Sequence, residues 1–145
     1  MTELAFHFGA PDKIAYACRL LRKAVGSGAR VVVIGEPDQL RDLDETLWSV
    51  SPTDFVPHCM VNAAASVAKH SPVILTPALD QVGPEREVLV NLAEQVPMGF
   101  ETYTRLIEIV SLDPDDRNAA RERWRFYSSQ GYAIARHDLT AKSTS

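Results

Sequence analysis

The run Arg30-Val-Val-Val-Ile34 limits the fold of this chain more than any other segment. Its consecutive β-branched residues favour a strand, and successive strand side chains point to opposite faces. Both faces are therefore apolar and both need cover, which is the situation of a central strand in a parallel sheet. Upstream, Leu4-Ala-Phe-His-Phe8 reads as a first strand. Gly9-Ala-Pro-Asp12 breaks it and caps a helix in which Ile14, Cys18, Leu21 and Val25 keep helical spacing. Arg19, Arg22 and Lys23 fall on its other faces, and Gly26-Ser-Gly28 ends it. Strand, helix and buried strand within 35 residues make a βαβ unit.

The same reading continues along the chain. Pro37 starts a second helix with Leu40, Leu43 and Leu47 on one side, followed by a loop over Ser49–His58. Ala63-Ala-Ala65 fits either a short helix or a loop. Strands are expected at Pro72–Thr76, Glu87–Leu92 and Tyr103–Val110, with a loop over Pro77–Pro84 and a turn at Pro97-Met-Gly99. A helix over Pro114–Gln130 ends at Gly131, and Tyr132–Ala135 fits a last strand. The expected architecture is one α/β domain over residues 1–140, a twisted and mainly parallel sheet flanked by helices. It is Rossmann-like but without a nucleotide site, and residues 141–145 form a polar tail. The length of 145 residues suits one such core.

The segment that bears most on function is Asp113-Pro-Asp-Asp-Arg-Asn-Ala-Ala-Arg-Glu-Arg-Trp-Arg-Phe-Tyr127. Asp113 is placed as N-cap, Pro114 as the first helical residue, and Asp115 and Asp116 in the first turn, where acids complement the helix dipole. Arg117, Arg121 and Arg125 fall four apart and form a stripe, with Trp124 beside it. Guanidinium forks next to an aromatic suit a partner that is partly apolar and bears carboxylates. From Arg117 to His137 there are five arginines and a single acid, Glu122, in a chain whose net charge is −4. The positive charge is local, and the acidic total argues against non-specific nucleic-acid binding by the whole molecule.

Readings as an enzyme find little support. The turn after the first strand has neither a G-x-x-x-x-G-K-[ST] phosphate cradle nor a G-x-G-x-x-G turn. Gly26-Ser-Gly28 ends a helix, so its N–H groups are not posed for phosphate. The serines lack a G-x-S-x-G elbow. His7, His58, His70 and His137 are scattered, and His58, in Phe55-Val-Pro-His58, reads as shaping its loop through an imidazole hydrogen bond. Asp42, Asp44 and Glu45 read as a solvated helix face. Cys18 and Cys59 read as small core residues with no metal-binding spacing around them. No catalytic residue, metal or cofactor is expected. Nothing resembles a transmembrane segment or a signal peptide, and the expected location is the cytoplasm.

Two blocks then converge on a family. Leu43-Asp-Glu-Thr-Leu-Trp48 with Phe55-Val-Pro-His58, and Ala120-Arg-Glu-Arg-Trp-Arg-Phe-Tyr127 with Gly131-Tyr132, resemble the chi subunit of bacterial DNA polymerase III. The match in length, element order and block spacing extends over nearly the whole chain. The resemblance implies a nucleotide-binding-like α/β fold without the nucleotide site and without catalytic activity of its own. It implies a place in the clamp-loader complex of the polymerase holoenzyme, with two partners. One is the psi subunit, at a surface that includes Trp48 and Phe55. The other is the acidic C-terminal tail of single-stranded-DNA-binding protein, at Val110, Arg117, Arg121, Trp124 and Arg125. That tail carries aspartates and ends in an aromatic with a free carboxylate. A repair helicase is a third partner that the resemblance raises, with no membrane and no tight direct contact to nucleic acid. The chain has Trp at 124 where Tyr is familiar in the family, and Arg at 117 and 125 where Lys is. The competing reading is a module that binds single-stranded DNA directly through Arg117, Arg121, Arg125 and Trp124.

Overall fold

A computed structural model describes residues 2–49, 56–60, 71–82 and 86–142. The described strands are β1 (Glu3–Ala10), β2 (Val31–Ile34), β3 (His58–Met60), β4 (Val73–Thr76), β5 (Val88–Asn91), β6 (Arg105–Ser111) and β7 (Ile134–Asp138). They form one sheet in the order β3-β4-β2-β5-β6-β1-β7, and every described pairing is parallel. The described helices are α1 (Lys13–Gly26), α2 (Pro37–Ser49), α3 (Pro114–Ser129) and the short α4 (Leu139–Lys142). None is long and apolar enough to cross a membrane.

The β-branched run does what its composition requires. Val31 and Val33 pack on the α1 and α2 side with Leu21, Leu40 and Leu43, while Val32 and Ile34 pack on the α3 side with Leu89 and Phe100. All four residues of β2 are buried. Cys18 and Cys59 are buried as expected of small core residues.

The expected βαβ unit is present, but its strands are not neighbours, since β5 and β6 lie between β1 and β2. The eight-residue β1 matches the seven-residue β6 in register from Glu3–Arg105 to Ala10–Ser111. The four-residue β2 pairs with β4 and β5, and β5 in turn pairs with β6 over Val88–Asn91. Within the expected Ser49–His58 loop and just beyond it, His58–Met60 adds an edge strand on β4, while residues 50–55 and Ala63-Ala-Ala65 lie outside the described residues. Among the described residues of the loop expected over Pro77–Pro84 is a 3-10 turn, Leu79–Gln81. The last strand begins at Ile134 and runs on to Asp138, two residues later at its start than the sequence pattern places it.

Candidate functional site: an arginine-rich groove at the carboxyl ends of β1, β6 and β7

The site is built by α3 lying on the sheet. Asp113 caps that helix, its carboxylate accepting from the Asp115 N–H at 3.2 Å, and Pro114 follows. Asp116 accepts from the Ser111 N–H at 2.8 Å and from Lys13 Nζ at 3.0 Å, which ties the start of α3 to β6 and to α1. Burial works against that carboxylate, but the Ser111 N–H and the Lys13 ammonium outweigh it and hold its pKa below the ordinary value. At the other end Gly131, at φ +87°, lets the Tyr132 N–H reach back to the Tyr127 carbonyl at 3.2 Å.

A buried polar cluster seats the helix. Glu108 on β6 is fully buried and accepts from Arg123 Nε at 3.0 Å, Tyr127 Oη at 2.6 Å and Asn91 Nδ2 at 3.0 Å. Arg123 also donates to the Glu94 carbonyl at 2.9 Å. Burial pushes the Glu108 carboxyl up, against the pull of Arg123 and the other donors. Burial and the adjacent Glu108 push the Tyr127 hydroxyl far up, so it acts as a donor.

Parallel register then sets the groove. Phe8 pairs with Val110 on one side and Asp138 on the other, and Phe6 pairs with Glu108 and Arg136. These side chains share the face that α3 covers only in part. A groove of about 670 Å³ opens there, lined by Phe6, Phe8, Gly9, Val110, Leu112 and Ala120, and by Arg117, Arg121, Trp124, Arg136, Asp138 and Thr140. Trp124 packs on Phe6 with ring centroids 5.0 Å apart. Gly9 interrupts the β1–β6 register at φ +83°, and a Cβ there would stand 2.7 Å from Thr140 Cγ2. The backbone can pass α4 at this point only because the side chain is hydrogen. Ligand sites at the carboxyl ends of parallel strands are the general habit of such sheets.

The structure sorts the five arginines of this segment. Arg123 is buried on Glu108. Arg125 pairs with Glu122 at 2.7 Å and is not among the lining residues. Positions four apart drift on a helix of 3.6 residues per turn, so Arg125 sits about 80° around from Arg117. Arg117, Arg121 and Arg136 line the groove. Among the described residues none of the three has a carboxylate partner, and Arg121 donates only to the Asn118 amide oxygen at 2.9 Å. Four of the five residues expected at one site, Val110, Arg117, Arg121 and Trp124, therefore come together. Phe6, Phe8, Arg136 and Asp138 join them, and no sequence motif marks these. Their signal is the alternation of β1 and of β7, which becomes readable only once the two strands are known to be neighbours.

The second expected surface is seen in part. Trp48 lies in the last turn of α2 and is 63% exposed. Its ring stands 5.5 Å from that of His58. His58 is buried and is held by the Val56 carbonyl and by Asp44, each at 2.8 Å. The imidazole thus fixes its loop as expected, and Asp44 belongs to that anchor as well as to the acidic face of α2. Phe55 lies outside the described residues. No group of three or more His, Cys, Asp or Glu side chains able to hold a metal ion occurs among the described residues.

Fold and groove together define a parallel α/β domain with an open, cationic, aromatic-floored cleft at one end of its sheet. A family model described as DNA polymerase III chi subunit, HolC, matches residues 1–135. The chain is 34% identical over 128 residues to a DNA polymerase III subunit chi of Pseudomonas aeruginosa, covering 88% of this chain and 87% of that protein. It is 27% identical over 124 residues to the subunit chi of Haemophilus influenzae, covering 85% of each. To the subunit chi of Escherichia coli it is 26% identical over 118 residues, covering 81% of this chain and 79% of that one. The chain belongs to the DNA polymerase III chi subunit family, whose members are accessory subunits of a replicative DNA polymerase.

Proposed function

We propose that this chain is a non-catalytic adaptor of the DNA polymerase III holoenzyme, one that binds the acidic C-terminal tail of single-stranded-DNA-binding protein in the α3 groove. One observation carries the reading. Three arginines without carboxylate partners among the described residues surround an aromatic floor, in a chain whose overall charge is −4. Arginine forks take carboxylates bidentately, and Val110, Phe8 and Trp124 offer an apolar seat for an aromatic end group. The tail's aspartates lie along Arg117 and Arg121. Arg125 stands at the rim and joins only by releasing Glu122. The psi subunit docks at the far end of α2, where Trp48 is a large exposed aromatic backed by a fixed imidazole, the kind of residue that anchors interfaces. In this reading Phe55 completes that surface. The two sites lie on different elements, so both partners bind at once and the clamp loader is tied to coated lagging-strand template in the cytoplasm.

A titration of the purified protein with a synthetic tail peptide, run beside one with a single-stranded oligonucleotide, tests the reading. Peptide binding in the groove, lost on Arg121→Ala, is the expected result. Oligonucleotide binding as tight as peptide binding would replace the adaptor reading with direct DNA binding.

A further inference from the structure

Parallel strands ordinarily carry helices on both faces. On the face opposite α3, α1 packs over β2 and β6, and the cover thins towards the edge strand β7. Register shows this residue by residue. Ala5 lies between Ile107 and Ala135, and His7 between Ile109 and His137. Ile107 and Ile109 are buried, Ala5 and His7 are half-buried, and Ala135 and His137 are exposed. The two alanines keep the floor low, and Leu20 and Ala24 of α1 form a wall beside it. A largely apolar groove of about 960 Å³ results. The Glu3–Arg105 pair, 3.8 Å apart, lies at one end of its floor. At the other end His7 lies against His137, ring centroids 4.4 Å apart, with Tyr16 Oη 2.5 Å from His7 Nδ1. From Glu3 to His7 the floor runs about 13 Å at the rise of a strand, and from β6 to β7 it spans about 10 Å. Those are the length of about two to three helical turns and the width of a helix with its side chains.

The rim of the groove is basic. In a chain of net charge −4, α1 carries Lys13, Arg19, Arg22 and Lys23 and no acid. Arg19 and Lys23 fall four apart, next to the Tyr16–Leu20–Ala24 stripe, and both are exposed. Neither has a carboxylate partner among the described residues. We propose that this groove is a docking site for an amphipathic helix of a partner protein. The helix lays a face of small apolar residues on Ala5, Ile107 and Ala135 and turns an acidic flank to Arg19 and Lys23. A nucleic acid fits less well, because the aromatic rings are confined to one end and the floor gives bases nothing to stack on. The acidic helix of this chain, α2, already buries Leu40, Leu43 and Leu47, so a second copy has no such face to lend. The groove lies across the sheet from the one beside α3, so its occupant leaves that site open.

Two synthetic helical peptides with the same alanine and leucine face, one with a glutamate flank and one with a lysine flank, are titrated into the full chain. A single-stranded oligonucleotide is titrated beside them, and alanine methyl NMR spectra report the site. The glutamate peptide is expected to shift the methyls of Ala5 and Ala135 and to bind about tenfold more tightly than the lysine peptide. Arg19→Glu combined with Lys23→Glu should invert that preference. Ala135→Trp, which fills the floor from an exposed position, should abolish binding of either peptide at an unchanged melting temperature. Failure of the glutamate peptide to shift those methyls overturns the proposal. So does a preference that survives the charge reversal. An oligonucleotide that occupies the groove, or self-association of the chain through it, replaces the helical partner with a different one.

Discussion

Arg123 Nε donates to Glu108 Oε1 at 3.0 Å, and the two side chains are 2% and 0% exposed. The pair removes one arginine from the basic segment and uses it to fix α3 on β6. Residues adjacent to Arg123 in the helix then fall where the groove needs them, with Trp124 inside and Glu122 outside. Removing one partner of a buried ion pair leaves an uncompensated charge. Arg123→Ala is therefore expected to cost about 3–5 kcal/mol in urea unfolding. Glu108→Leu combined with Arg123→Leu should recover part of that loss. A double variant no more stable than Arg123→Ala alone would contradict the account.

Arg121 and Arg125 look alike in sequence and differ in the structure. Arg121 lines the groove with an amide as its only described partner, whereas Arg125 is paired with Glu122 off the lining. Arg121→Ala should weaken tail-peptide binding by about 1.5–3 kcal/mol, the scale of a charge-assisted hydrogen bond. Arg125→Ala should cost clearly less. Neither change should move the melting temperature much, because both side chains are exposed. Calorimetry on the two variants decides the order, and equal losses would return Arg125 to the site.

Ionic strength provides a separate check on the same groove. Carboxylate–arginine contacts on an open face weaken as salt rises, while burial of an aromatic ring does not. Peptide affinity should fall between low and high salt and then level off at a remainder. An affinity indifferent to salt would show the arginines to be bystanders.

Trp48→Ala should abolish co-purification with the psi subunit while leaving tail-peptide affinity intact. A side chain 63% exposed adds little to the core, so the melting temperature should hold. If the substitution destabilises the fold and both partners are lost together, Trp48 is a packing residue and the interface lies elsewhere.

What could be read from the sequence was local. The Val31–Ile34 run declares a buried strand by its own chemistry, and Asp113-Pro114 and Gly131 declare the two ends of α3. The order of the strands could not be read the same way. The β1–β6 pairing joins residues about a hundred positions apart, and nothing near Leu4 announces Leu106. The same gap explains the fate of the arginines. Glu108 sits in the apolar run Leu106–Val110 and Arg123 in a basic one, so neither marks the other as its partner. Arg136 acquires its role only because β7 lies beside β1. The helical stripe was legible as a set of charges, but which charges remain uncommitted depends on carboxylates brought in by the fold.

The start of α3 carries a pH dependence of its own. Asp116 is held by the Ser111 N–H and by Lys13, and its pKa is lowered from the ordinary 3.8 despite burial. A carboxyl with a folded-state pKa below its unfolded value binds protons more readily when the chain is unfolded. Its contribution to stability is therefore complete above the unfolded pKa and is lost as the pH falls through the folded one. Asp116→Asn should be less stable than wild type by about 1–2 kcal/mol at neutral pH. Below about pH 4 the gap should narrow, since wild type then loses the charge that the variant lacks at every pH. The substitution also loosens the joint between α1 and the first turn of α3, immediately before Arg117 and five residues before Arg121. Urea unfolding of both proteins from neutral to acidic pH tests this directly. A constant gap across that range would mean that the Asp116 charge contributes nothing and that its hydrogen bond to the Ser111 N–H does the anchoring alone.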